Sequence, residues 1–160
     1  MIAATAKRTG AFFRDAEYTS RYWKAFADNN LGSLYFAKLG DELLAAAYVI
    51  RFGNTAWYKD SGSIRQGGQV MAPRLMLWHI IKDLHQQGVT AYDLSGIPAP
   101  EEAETSHMKG LYVFKTGFTN NTTRFMPAME LPLSNRYRLW PKLERHFLRL
   151  YAGFTKDFWY

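Results

Sequence analysis

Arg14 and Tyr18 stand four residues apart. On a helix that spacing is one turn, so a guanidinium and a phenol project to the same side and can grip one phosphate group together. The plainer alternative makes Arg14 a solvated residue at a helix start and Tyr18 part of a core face. Asp60 and Asp93 are carboxylates able to accept a proton from an attacking amine or to orient it. Asp93 better suits bracing the Ser95-Gly96 turn through backbone N–H groups. Neither is assigned as a general base. Lys115, read alone, caps the C-terminus of a short helix and faces water. The histidines (His79, His85, His107 and His146) are scattered, and the six-residue step from His79 to His85 does not keep them on one helical face. The sequence therefore offers no metal-ligand cluster, and it has no Ser/His/Asp order or nucleophile elbow.

These residues need elements to position them. Asp15 to Asn29 reads as a helix, with Asp15 as N-cap and Tyr18, Tyr22 and Phe26 recurring along one face. Leu34 to Leu39, Leu43 to Phe52 and Thr55 to Lys59 read as three strands. Gly40-Asp41 and Gly53-Asn54 between them are turn signals, which predicts an antiparallel meander. Ala45 to Ile50 lacks alternation and suits a strand covered on both faces. Pro73 opens an apolar helix that Gly88 stops. Val89 to Leu94 is the next strand, Ala99 to His107 a loop, and Leu111 to Phe118 a short helix. Thr123 to Leu133 reads as a strand and Asn135 to Phe154 as a final helix. Strands and helices in this order predict an α+β domain, with helices on both faces of a mixed, mostly antiparallel sheet.

The chain-wide numbers bound the rest. A length of 160 residues fits one domain, and 48% hydrophobic residues allow a real core. With no cysteine, disulfides, thiolate metal sites and a cysteine nucleophile are excluded, and a cytoplasmic protein is favoured. Lys7 and Arg8 have no apolar run behind them, so no signal peptide is read. The longest apolar stretch, Leu43 to Ile50, falls far short of the roughly 20 residues needed to cross a bilayer. The formal net charge of +6 favours phosphate-bearing partners. It is concentrated from Ser134 onward, where Arg136, Arg138, Lys142, Arg145, Arg149 and Lys156 face only Glu144 and Asp157.

Four local words point more narrowly. Ala56-Trp57-Tyr58-Lys59-Asp60-Ser61-Gly62-Ser63 resembles the third-strand segment of FemABX peptidyltransferases, the methicillin-resistance-factor-like aminoacyltransferases. Met71-Ala72-Pro73-Arg74-Leu75-Met76-Leu77-Trp78 is similar to the opening of their central helix, and Tyr92-Asp93-Leu94-Ser95-Gly96-Ile97-Pro98 to their "YDLGG(I/V)P" strand end. Gly110-Leu111-Tyr112-Val113-Phe114-Lys115-Thr116-Gly117-Phe118 resembles their "GLYRFKxGF" motif. The resemblance covers about Thr9 to Leu133 and matches the second of the two GNAT-like lobes that a usual family member carries in tandem.

The resemblance implies a GNAT-like acyltransferase fold and a reaction. An amino group of a peptidoglycan stem peptide, in a UDP-linked or lipid-linked muropeptide, attacks the ester carbonyl of an aminoacyl-tRNA. Because that ester is already activated, the enzyme mainly aligns the amine and stabilises the oxyanion. The resemblance gives Lys115, with the aromatic Phe114 before it, the place at the active site. It gives Arg14 and Tyr18 the acceptor's phosphates and sugar, with Tyr58 as a further contact; Asp60, the carboxylate beside that word, is expected to bind substrate as well. Acetyl-CoA-using relatives carry Q/R-x-x-G-x-G/A before the central helix. Arg65-Gln66-Gly67-Gly68-Gln69-Val70 departs from that pattern at the bulky Val70, so acetyl-CoA is the weaker donor and no cofactor is expected. Two alternatives stay open: an N-acyltransferase using acyl-CoA, and a non-catalytic lobe that binds acceptor or tRNA and needs a second lobe or a homo-oligomer for turnover. The division expected is one domain over residues 1–133 and a basic amphipathic helix over 134–160. That helix packs on the sheet, contacts tRNA backbone, or rests peripherally on the inner face of the plasma membrane. Phe154, Phe158, Trp159 and Tyr160 form an unusually apolar tail, expected to cover a surface that a first lobe would otherwise occupy.

Overall fold

The computed structural model describes Thr5 and residues 16–126, 129–131 and 133–155. The first described helix, α1 (Ala16–Asp28), ends because Asn30 takes the left-handed conformation at φ 58°. The Leu31 amide then donates to the Phe26 carbonyl at 2.9 Å and the Asn30 amide to Ala27 at 2.9 Å. This paired closure satisfies carbonyls that the helix would otherwise leave open, and Asn is among the few residues that adopt it cheaply.

The meander follows as the turn residues predict. Strands β1 (Gly32–Leu39), β2 (Glu42–Phe52) and β3 (Thr55–Ser63) pair antiparallel in sequence. Gly40 (φ 57°) and Gly53 (φ 60°) supply the positive φ that the two-residue turns require. The central strand β2 is buried on both faces, with Ala45, Ala47, Tyr48 and Val49 all at 2% exposure or less. The run without alternation in this segment has that origin.

A crossover then makes the next strand parallel. The short helix α2 (Arg65–Gln69) runs into α3 (Ala72–Gln86), whose start is set by Met71 in the left-handed conformation and Pro73 in the first turn. Met76, Leu77, Ile80 and Leu84 of α3 pack on Ala47, Val49, Ala56 and Tyr58 to form the core. On the opposite face lies α1, whose Trp23 ring stacks on Tyr48 at 4.9 Å. Gly32 makes room for this: a Cβ there would lie 1.8 Å from the Tyr48 hydroxyl oxygen. Strand β4 (Ala91–Asp93) pairs parallel with β3, giving a four-stranded mixed sheet in the order β1-β2-β3-β4 with helices on both faces.

After α4 (Lys109–Thr116) the structure departs from the sequence reading. The described residues of Thr123 to Leu133 form no strand, and Phe125, Met126, Met129, Leu131 and Leu133 are 74–88% exposed. Their apolar character suggested a strand. However, the segment contains Pro127 and Pro132, which have no amide hydrogen to give a ladder, and the adjacent edge β4 is only three residues long. The last expected helix is split. A 3-10 turn (Asn135–Leu139), capped by Ser134, precedes α5 (Trp140–Thr155), because Pro141 lacks the amide needed to carry one α-helical ladder through. Among the described residues no helix is long and apolar enough to cross a membrane.

Candidate active site

The site arises from two irregularities at one level of the sheet. Strand β4 pairs with β3 only over Thr55 to Trp57, after which β3 continues through Ser63 without it. At the same level the register between β2 and β3 shifts: Val49 lies opposite Tyr58, whereas Tyr48 lies opposite Asp60, and Lys59 is passed over. Successive residues of β2 point to opposite faces, so the shift sends Tyr58 and Asp60 to opposite faces although they stand two apart.

On the α3 face, Tyr58 is buried in the core and its ring meets Tyr92 edge-on at 6.4 Å. Burial raises the pKa of both phenols, and the Tyr92 hydroxyl is buried without a hydrogen-bond partner. Where β4 ends, the chain turns sharply. Ser95 has φ 66°, its amide donates to the Asp93 carboxylate at 2.6 Å, and its hydroxyl donates to the Tyr58 carbonyl at 2.9 Å. A side chain thus takes the place of the ladder bond where the strands part. Asp93 braces this turn, as its position in the sequence suggests.

Lys115 reaches the same turn from α4. Its ammonium donates to the Gly96 carbonyl at 3.0 Å, and the residue is only 7% exposed. Lys115 is the buried charged residue among the described ones. Burial lowers its pKa below the usual 10.5, while the Asp93 carboxylate acts in the opposite sense. Phe114 packs against the core and meets Phe118 at 5.8 Å, which fixes the end of α4 that carries the lysine. The result is a cation held in a low-dielectric wall beside a strand opening. Such a group can stabilise an oxyanion or supply a proton, and its lowered pKa makes that proton easier to give.

Asp60 and Tyr18 lie elsewhere. Asp60 accepts a hydrogen bond from the Trp23 indole at 2.9 Å, and burial beneath α1 raises its pKa. The Tyr18 ring meets Tyr22 at 5.8 Å, and Tyr22 in turn meets Tyr48 at 6.4 Å. Lys59, extruded by the register shift, places its ammonium 5.8 Å from the Tyr22 ring centre. The structure therefore gathers Lys115, Phe114 and the backbone of Tyr58 at the opening, and puts Asp60 and Tyr18 with α1 across the sheet. Arg14 lies outside the described residues. Sequence reasoning left out Tyr92, Trp23 and Tyr48, and it treated Ser95 and Gly96 only as a turn. The Asp-x-Ser-Gly order after an apolar run is the signal that marks that turn as more than a connection.

Three amides of the segment before α3 are already bonded within the chain. The amides of Gly68, Val70 and Met71 donate to the carbonyls of Ile64, Gln66 and Gly68 at 3.1–3.3 Å. Donors already used in this way are not free to bind a pyrophosphate.

Comparison with known proteins agrees with this architecture. The acetyltransferase (GNAT) domain family model matches residues 1–115. A solved structure named as a candidate acetyltransferase from Agrobacterium tumefaciens str. C58 superposes with a TM-score of 0.57 at 13% identity, over 80% of this chain and 90% of that one. A second, also named for acetyltransferase activity, gives 0.52 at 12% identity over 84% and 88%. No curated protein matches the chain. At these identities the structural likeness speaks for the fold alone. Open strand pair, crossover helix and family match together define an acyltransferase-type domain. The chain belongs to the acetyltransferase (GNAT) domain family, and acyl transfer is the class of chemistry that membership brings.

Proposed function

We propose that this domain acts as a FemABX-type lobe, moving an aminoacyl group from the ester of an aminoacyl-tRNA to an amino group on a muropeptide stem. Its family model is one found in FemABX-type proteins. The four sequence words fall on β3, the start of α3, the end of β4, and α4. The observation that carries the proposal is the Lys115 ammonium, buried within 3.0 Å of the Gly96 carbonyl at the strand opening. In the reaction the acceptor nitrogen attacks the ester carbon and forms the C–N bond. The tetrahedral oxyanion collapses, the bond to the ribose oxygen breaks, and that oxygen takes up a proton as the nitrogen loses one. Lys115 serves the oxyanion, and Phe114 and the Gly96 turn hold it in place. The internal use of the Gly68, Val70 and Met71 amides, with the bulk of Val70, speaks for a donor other than acyl-CoA.

The test supplies UDP-MurNAc-pentapeptide with charged tRNA or with acetyl-CoA and follows the acceptor's mass. Gain of an amino-acid residue from charged tRNA, and no acetylation, is the expected result. Acetyl transfer, or saturable acetyl-CoA binding, contradicts the choice of donor. Acceptor binding with no transfer from either donor favours the reading in which the lobe needs a partner.

A further inference from the structure

Helix α5 is sixteen residues long, continues directly from the 3-10 turn, and among the described residues does not pack substantially on the sheet. An amphipathic helix that covered the core would bury its apolar face. Here Leu143 (57%), Leu150 (62%) and Phe154 (87%) stay exposed, with Leu139 (58%) just ahead of them. At 3.6 residues per turn these positions fall on one side of the helix. Trp140, Phe147 and Tyr151 fall there too, with ring separations of 5.3 Å for Trp140–Phe147 and 6.0 Å for Phe147–Tyr151. Lys142 and Arg149 are exposed and, by the same geometry, fall well away from that apolar arc.

We propose that α5 docks this protein on an anionic lipid surface, lying in the plane of the interface. Three kinds of occupant compete, and the residue chemistry separates them. A second copy would bury the apolar arc but leave Lys142 and Arg149, on the far side of the helix, without an opposite charge. A nucleic-acid backbone would satisfy the cations but give Leu143, Leu150 and Phe154 nothing to be buried in. A bilayer with anionic headgroups meets both faces: the cations sit among the phosphates, and the apolar arc enters the boundary of the acyl chains. A helix this short and this charged lies on such a surface and does not span it.

Co-sedimentation of the full chain with extruded vesicles tests this, using phosphatidylcholine alone and phosphatidylcholine mixed with phosphatidylglycerol. The protein should pellet with the mixed vesicles and stay in solution with the neutral ones. Leu150→Glu combined with Phe154→Glu should cut the bound fraction about tenfold. Lys142→Glu combined with Arg149→Glu should do the same, and raising the salt should weaken wild-type binding. Circular-dichroism melts that match wild type would show that the exposed substitutions leave the fold intact. Equal binding to both vesicle types, or binding that the Leu150/Phe154 pair leaves unchanged, overturns the proposal. So does a tRNA mobility shift sensitive only to the Lys142/Arg149 pair in a protein that ignores vesicles. Self-association lost with Leu150→Glu and accompanied by no vesicle binding overturns it in favour of a second copy.

Discussion

An ammonium buried against one carbonyl, with an aspartate nearby, is an unusual arrangement for a lysine, and it has a cost in stability. The charged form of Lys115 is disfavoured by burial, so its pKa in the fold lies below its ordinary value of 10.5. The unfolded chain then binds more protons than the folded one between those two values, and stability rises with pH across that window. Below it, the buried charge weighs fully against the fold. Lys115→Met, which keeps most of the unbranched side chain and removes the charge, should therefore melt at or above wild type near neutral pH. The difference should shrink as pH rises toward 10.5, a trend that paired thermal melts can follow. A difference independent of pH would mean that the lysine is not held in its buried position. The word over Gly110 to Phe118 draws attention to Lys115 and Phe114, but read alone it leaves the lysine facing water, whereas the fold buries it at 7% exposure. That Tyr58 and Asp60 part company was not legible in the sequence, because the register shift at Lys59 depends on how β2 lies against β3, and nothing local to the strand encodes it.

The elements owe their positions to a few tight contacts. Gly32 shows this best: the Tyr48 hydroxyl, which donates to the Trp23 carbonyl at 2.6 Å, occupies the space where any Cβ would go. Gly32→Ala should push Tyr48 off that carbonyl and loosen α1 from the sheet, costing about 1–3 kcal/mol in urea denaturation. No change in the unfolding midpoint would show that α1 is not held through Tyr48. The meander was readable because Gly40 and Gly53 punctuate it, and α3 because Pro73 and Gly88 bracket it. The segment from Thr123 to Leu133 misled because apolar composition says only that residues prefer burial. Whether a strand forms depends on a free edge long enough to pair with, and β4 has three residues to give. The split before α5 was equally hidden, since the apolar spacing continues through Pro141 while the hydrogen-bond ladder does not.

At the scale of the molecule, the order of elements and the spacing of words specify an acyltransferase-type domain, and the family match over residues 1–115 agrees. The identity of the donor has no comparable signature, because it is set by the shape of a surface and by which backbone amides are free. The use of the Gly68, Val70 and Met71 amides within their own segment is such a feature, and it emerges only from folded geometry. The basic excess beyond Ser134 was visible in the composition, whereas the exposure of the apolar arc beside it follows from the fold, in which α5 does not pack substantially on the sheet. The proposed reaction requires Lys115 to act at the opening between β3 and β4. It is tested most directly by the rate of aminoacyl transfer from charged tRNA to UDP-MurNAc-pentapeptide, for wild type and for Lys115→Met at a temperature where both are folded. Removal of an oxyanion-stabilising cation should lower that rate by about 100-fold or more while acceptor affinity changes little. A Lys115→Met protein that transfers at the wild-type rate would contradict this role of Lys115.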